Sequence, residues 1–272
     1  MLYSESLEKV QKELRIRNFS PRTIKSYNYH LHRFLTYVNK PLKTITKDDI
    51  KNYLDFMLKK QEGRSVSVSL SAIKFFFLNV LRKKIYGIPY PKRKESLPII
   101  LSKREVKKLI NSIENPKHKL LVSFLYACGL RVSEAVKLRV SDIDFDEGLI
   151  YVRKGKGGKD RCVPLPKSLI KSMENLKVQI NNFKYLFQTK KGHLSIKSAQ
   201  LIVEKAAKKA GINKRVSPHT LRHSFATHLL ESGVSIRIIQ KLLGHKRIAA
   251  TQIYTQISNQ TIKNVKSPLD DL

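Results

Sequence analysis

Ser217-Pro218-His219-Thr220-Leu221-Arg222-His223-Ser224-Phe225-Ala226-Thr227-His228-Leu229 is the stretch that decides how this 272-residue chain is read. Ser217 suits a helix N-cap, and Pro218 suits the first helical position, where its missing N–H costs nothing. Leu221, Phe225 and Leu229, spaced four apart, form one apolar face. His219 and Arg222 then lie a turn apart, off that apolar stripe. A helix N-terminus carrying His and Arg favours a phosphate. A solvated helix start fits the same residues equally well.

Three further motifs lie around it. Upstream, Gly129 closes an apolar helix over Val122 to Ala127, and Arg131 opens the next turn with Glu134 within reach of its guanidinium. Alone, an Arg–Glu pair at that spacing is more often a surface ion pair. Downstream, Leu242-Leu243-Gly244-His245 reads as a helix ending on a left-handed glycine, with His245 just past the end. Tyr254 follows on the next helical segment; a lone Tyr there reads as core just as readily. Between these motifs, Leu149–Val152 and Cys162–Leu165 flank a Gly- and Lys-rich tip, Gly155-Lys156-Gly157-Gly158-Lys159-Asp160-Arg161, which signals a β-hairpin. The phosphate-loop pattern GxxxxGK[ST] is missing from the tip. By itself, a basic tip means a nonspecific phosphate contact.

Towards the N-terminus the pattern is helical throughout. Leu7, Val10 and Leu14 recur at helical spacing and stop near Asn18. Ser20-Pro21 caps a second helix with Ile24, Tyr27, Leu31, Phe34, Leu35 and Val38 on one face. Thr46 starts a third, striped by Ile50, Tyr53, Leu54 and Met57. Ser65 to Lys84 forms a fourth, with Val68, Ala72, Phe75, Phe76 and Val80 facing inward. Residues 1–85 therefore read as a small four-helix domain. From Tyr86 to Pro98, Gly87, Pro89, Pro91 and Pro98 alternate with basic residues, the mark of an exposed linker over 86–98. Ser102 with Glu105 is a capping box at the start of a mostly helical second domain, 99–272. The fold class is mainly α with a small β-hairpin.

Charge sets the partner class. The chain has 54 Lys plus Arg against 21 Asp plus Glu, a net of +33. Both parts share it, with +13 over residues 1–95 and +20 over 96–272. Self-repulsion of that size needs a polyanion to offset it, and its spread suits a protein that surrounds a duplex like a clamp. A Lys-rich surface kept for heat tolerance would carry matching Glu. Cys128 and Cys162 match no zinc or disulfide spacing, so neither a metal nor a cofactor is expected, and a reducing cytoplasm is. The start is polar and no apolar run spans a bilayer, so no signal peptide or membrane anchor is expected.

In this order the motifs resemble the tyrosine recombinase, or phage integrase, family. Its pattern of Arg, Lys, His-x-x-Arg, His and Tyr falls on Arg131, Lys156, His219, Arg222, His245 and Tyr254, with Glu134 at a supporting acidic position. Phe19-Ser20-Pro21-Arg22-Thr23-Ile24 resembles the family's SAM-like core-binding domain. Gly155-Lys156-Gly157, Val163-Pro164-Leu165 and Ser267-Pro268-Leu269-Asp270 resemble its Xer subgroup. The resemblance implies that Arg131 and Arg222 clamp a scissile phosphate in double-stranded DNA, with His245 as a further donor. Tyr254 attacks to form a 3′-phosphotyrosine. Lys156 protonates the leaving 5′ oxygen, and His219 assists at the nucleophile. It also implies a homotetramer on two sites, in which the tail carrying Ile257, Ile262, Val265 and Leu269 docks on a neighbour; docking on its own domain fits the residues nearly as well. A second recombinase is a further partner for such a protein, in chromosome dimer resolution or in element excision and integration. Type IB topoisomerase-like relaxation and an idle DNA-binding accessory factor are the alternatives.

Overall fold

A computed structural model describes residues 3–60, 63–92, 97–153, 160–174, 184–245, 248–252 and 254. The hairpin tip with Lys156, part of the linker (93–96), and the tail residues Ile257, Ile262, Val265 and Leu269 lie outside the described residues. The chain divides into two compact units, residues 1–95 and 96–272.

The first unit holds α1 (Ser4–Ile16), α2 (Pro21–Val38), α3 (Lys47–Lys60) and α4 (Gly63–Asn79). Ser20 caps α2 by accepting the Thr23 N–H at 3.2 Å, with Pro21 at the first helical position. Leu31, Phe34 and Leu35 of α2 are buried in one core with Tyr53, Met57, Leu70 and Phe76. Each such side chain contributes roughly 1.5–3 kcal/mol through burial.

Two expectations shift here. The fourth helix stops at Asn79, short of Lys84. The Asn79 amide donates to the Phe75 carbonyl (2.9 Å) and its oxygen accepts from Arg17 Nη2 (2.6 Å), and Arg82 then turns left-handed at φ 56°. Ala72 and Phe76 are fully buried as expected, Val68, Phe75 and Val80 are half-buried, and the inward face also takes in Val66, Leu70, Ile73 and Phe77. The segment expected as an exposed linker is packed at its start: Ile88 is buried in the helical core, its carbonyl accepts from Lys74 Nζ (2.9 Å), and Lys74 stacks 4.6 Å over Tyr90. An isolated Ile among Pro and Gly carries enough apolar area to hold that turn down.

The second unit is built on α6 (Pro116–Ala127) packed against α10 (Pro218–Glu231). Around this pair lie α5 (Lys103–Asn111), the short α7 (Val132–Ala135), α8 (Lys167–Glu174), α9 (Ile196–Lys209), α11 (Ile236–Leu243) and α12 (Ala249–Gln252). A three-stranded antiparallel sheet runs β1 (Ile143–Asp144), β2 (Leu149–Val152), β3 (Arg161–Pro164). Ile150 pairs with Val163 and Val152 with Arg161. Ile150, Val152 and Val163 face the main core with Leu121, Phe124, Leu130 and Leu221. Arg161, two residues before Val163, therefore points to the same inner side. A minor pair, β4 (Gln188–Thr189) and β5 (Gly192–His193), completes the strands among the described residues. No helix among the described residues is long and apolar enough to cross a membrane.

Gly129 fixes the turn between α6 and α7. Its φ is +56°, and a Cβ there would collide with the Phe225 ring of α10. Gly129→Ala is expected to cost roughly 2–4 kcal/mol through left-handed strain and overpacking. Urea unfolding of the variant measures this.

Candidate active site

The site forms where α11 ends. A helix leaves its last carbonyls without intrahelical donors. Here Gly244 takes the left-handed cap (φ 61°, ψ 46°), and its N–H and that of His245 close the carbonyls of Gln240 and Lys241. Each of the next three carbonyls accepts from a different arginine. Leu242 takes Arg161 Nε at 2.7 Å, Leu243 takes Arg222 Nη2, and Gly244 takes Arg131 Nη2 at 3.2 Å. Arg222 also donates Nη1 to the Gly129 carbonyl after α6. Cations at the negative end of a helix dipole are favoured there.

Glu134 locks the arrangement from the other side. Its carboxylate accepts Arg131 Nη1 (2.8 Å) and the Arg131 N–H (2.9 Å), and it is gripped in parallel by Arg161 Nη1 (3.0 Å) and Nη2 (2.7 Å). The expected Arg131–Glu134 pair is thus no surface bridge: the Glu134 side chain is 8% exposed. Burial alone would raise the carboxyl, but bonds and charge from Arg161 and Arg131 outweigh it and hold the pKa at about 2.

Arg222 corrects the sequence reading of its helix. It is 4% exposed rather than solvated. α10 is buried almost all round, and the guanidinium points into the second unit because two carbonyls and His245 meet it there. Burial, then the nearby Arg131, lowers its pKa to about 9. His245 Nε2 lies 3.3 Å from Arg222 Nη2, and Nδ1 lies 3.0 Å from Thr251 Oγ1. A guanidinium only donates, so Nε2 accepts and Nδ1–H donates to Thr251. In this tautomer His245 props Arg222, and the expected phosphate-donor role needs a proton on Nε2. Burial, then Arg222 and Arg131, lowers its pKa to about 4.

Tyr254 follows α12 and is 1% exposed, packed with Phe225, Ala226, Ile239 and Leu243. Burial raises its pKa, opposed by Arg222 and Arg131. Its hydroxyl lies 3.0 Å from His223 Nδ1, not on His219. His219 is exposed in the first turn of α10; the protein around it, then Arg222 and Arg131, lowers its pKa. The structure thus gathers Arg131, Glu134, Arg222, His245 and Tyr254 around one helix end, with His219 beside them. Arg161, His223 and Thr251 were not singled out from sequence as site residues. Parity with the core residue Val163 marks Arg161 as inward-facing; nothing comparable marks Thr251.

Glu134 also sets a pH dependence. Its folded pKa lies below its ordinary 4.5, so its stabilisation is complete above that value and is lost as pH falls toward about 2. Glu134→Gln is expected to be less stable by about 3 kcal/mol at pH 7. The gap should close between pH 4.5 and about 2, followed by urea unfolding at each pH.

The sequence pattern of the phage integrase family matches residues 100–261, and that of the phage integrase N-terminal SAM-like domain matches residues 7–86. The tyrosine recombinase XerA of Pyrococcus horikoshii is 38% identical over 96% of this chain and 92% of its own length. The crystal structure of a XerA recombinase aligns with 97% of this chain and 99% of its own at 33% identity and a TM-score of 0.57. That of the XerH site-specific recombinase bound to its palindromic difH substrate, a post-cleavage complex, aligns with 97% of this chain and 84% of its own at 25% identity and a TM-score of 0.79. The chain belongs to the phage integrase family, in its Xer-like subgroup, and is a site-specific tyrosine recombinase.

Proposed function

We propose that this recombinase cleaves double-stranded DNA by attack of Tyr254 on a phosphodiester held by Arg131 and Arg222. One observation carries the reading. The guanidinium groups of Arg131 and Arg222 are bonded to adjacent carbonyls, Gly244 and Leu243, and the Tyr254 hydroxyl is bonded to the residue next to Arg222. The non-bridging oxygens of a phosphodiester gain charge in the transition state, and guanidinium groups fixed in advance stabilise it without reorganising. Tyr254 attacks in line and becomes a 3′-phosphotyrosine. The covalent bond conserves the phosphodiester energy, so joining to a partner strand needs no nucleotide. Lys156, which lies in sequence between β2 and β3, protonates the leaving 5′ oxygen.

The charge excess supports a duplex partner, as does the pocket beside Arg131, whose lining carries Lys137, Arg139 and Arg153 against Glu134 and Asp142. Both units share the excess, +13 over residues 1–95 and +20 over 96–272, so each is expected to contact the duplex. The DNA-bound XerH relative favours the same partner, and a lambda integrase tetramer on a Holliday junction, similar in fold, favours a tetramer on two sites. The tail after Tyr254 joins neighbouring copies, or copies of a second recombinase. A reducing cytoplasm suits the two free cysteines, Cys128 buried and Cys162 exposed.

Tyr254→Phe is expected to bind DNA normally and to form no SDS-resistant adduct on a nicked suicide duplex; an adduct would remove Tyr254 from its role. Arg131→Lys and Arg222→Lys should each slow single-turnover cleavage by about 10²-fold or more. Deleting 258–272 should impair pairing of two sites more than binding to one, read by mobility shift. Equal loss of both would place the tail on its own subunit.

A further inference from the structure

We propose that His223 takes the phenol proton when Tyr254 attacks phosphorus, a reading that rests on Tyr254 being the nucleophile. The resemblance to the family directs attention to His219, but the geometry points one turn further along α10. His223 Nδ1 lies 3.0 Å from Tyr254 Oη, and the two rings are 5.6 Å apart, centroid to centroid, at 52°. Among the described residues no other side chain is bonded to that hydroxyl. His219 is exposed, whereas His223 is half-buried between Arg222 and the small apolar cluster that holds Tyr254.

The direction of the bond follows from charge. Burial, then His219 and Arg222, pushes the His223 imidazole down to about 4, so it is neutral at physiological pH. Burial keeps Tyr254 a phenol. A phenol and a neutral imidazole can share this bond with O–H donating to Nδ1, which leaves the ring proton on Nε2. A proton acceptor must hold that geometry before attack. So depressed an imidazole is a poor base by itself. A phosphodiester brings a negative charge against Arg222, one of the causes of the depression, and raises the acceptor at the moment it is needed.

The step balances. The Oη–P bond forms, the P–O5′ bond breaks, and the proton on Oη passes to His223 Nδ1. The 5′ oxygen departs with a proton from the acid on its own side, Lys156 in the reading above. When the 5′ hydroxyl returns, His223 gives its proton back to the leaving phenol.

The test is single-turnover cleavage of a nicked duplex by the full chain carrying His223→Leu or His223→Asn. The Leu variant removes the bond; the Asn variant keeps a polar group near Nδ1 that cannot serve as a base. Both should slow by about 10²-fold or more, with DNA binding and thermal midpoint close to those of Tyr254→Phe. The deficit should persist on a substrate whose scissile 5′-bridging oxygen is sulfur, because a departing thiolate needs no acid. Cleavage at or above the wild-type rate in either variant would overturn the proposal, as would full rescue by the sulfur substrate. The nucleophile reading stands apart: an adduct formed by Tyr254→Phe defeats it, whereas an inert Tyr254→Phe beside fast His223 variants defeats only the present proposal.

Discussion

The last three carbonyls at the end of α11 are the constraint on which the site depends. Arg161 comes from a strand, Arg222 from the buried α10, and Arg131 from the turn before α7, yet each is bonded to one of three successive residues, Leu242, Leu243 and Gly244. Their spacing is therefore set by backbone geometry, which is stiffer than any side-chain packing. Gly244 makes this possible twice over. Its left-handed φ of +61° turns the chain so that its carbonyl meets Arg131, and a Cβ there would lie 3.1 Å from Arg161 Cδ. Helix ends ordinarily satisfy their carbonyls with water or a cap; this one uses them to orient cations.

Three guanidinium groups so close repel one another. The helix end offers about half a negative charge, and Glu134 offers one more between Arg131 and Arg161. A positive excess remains: burial first, and then the neighbouring Arg131, lowers Arg222 to about 9. Burial of that excess opposes folding. It is also the source of transition-state stabilisation, because a site that already holds its cations against repulsion needs no solvent rearrangement when a phosphate gains charge. Glu134 tempers the repulsion and keeps Arg131 from turning away toward solvent.

The helices, their caps and the hairpin were legible because they rest on local signals: Ser20-Pro21 and Ser217-Pro218 as caps, the Ser102–Glu105 box, alternation over Leu149–Val152. The end of α4 was not, because the Asn79 side chain that stops it is held by Arg17 from α1. The site showed the same division. Arg131, Arg222 and Tyr254 were found through motifs, but the burial of Arg222 was missed, since periodicity places a charged residue outside and only the carbonyls of Gly129 and Leu243 bring it in. Arg161 was seen as part of a basic tip because its partner, Glu134, lies 27 residues away. His223 acts through a contact 31 residues distant, which no window of sequence pairs, and Thr251 through one that crosses a helix end, where no single period applies.

Tyr254 is held differently from the arginines, and the difference matters for chemistry. Arg222 and Arg161 sit on α10 and β3, which reach the main core through Leu221 and Val163, and all three arginines are bonded to the end of α11, whose Leu243 lies in a smaller cluster. Tyr254 sits in a separate small cluster with Phe225, Ala226, Ile239 and Leu243. Its link to the site runs through one turn of α12: its N–H bonds the Thr251 carbonyl, and the Thr251 hydroxyl bonds His245. A phenol that is 1% exposed is shielded from bulk water. Loosening the small cluster around one aromatic side chain costs about 2–3 kcal/mol, whereas disturbing the arginines would break bonds to three backbone carbonyls and a buried carboxylate. The cheaper rearrangement is therefore that of the apolar residues around the nucleophile. A fixed phosphate cradle with a separately shielded phenol keeps the reactive oxygen off DNA until the strand is seated, while the phenol stays on His223.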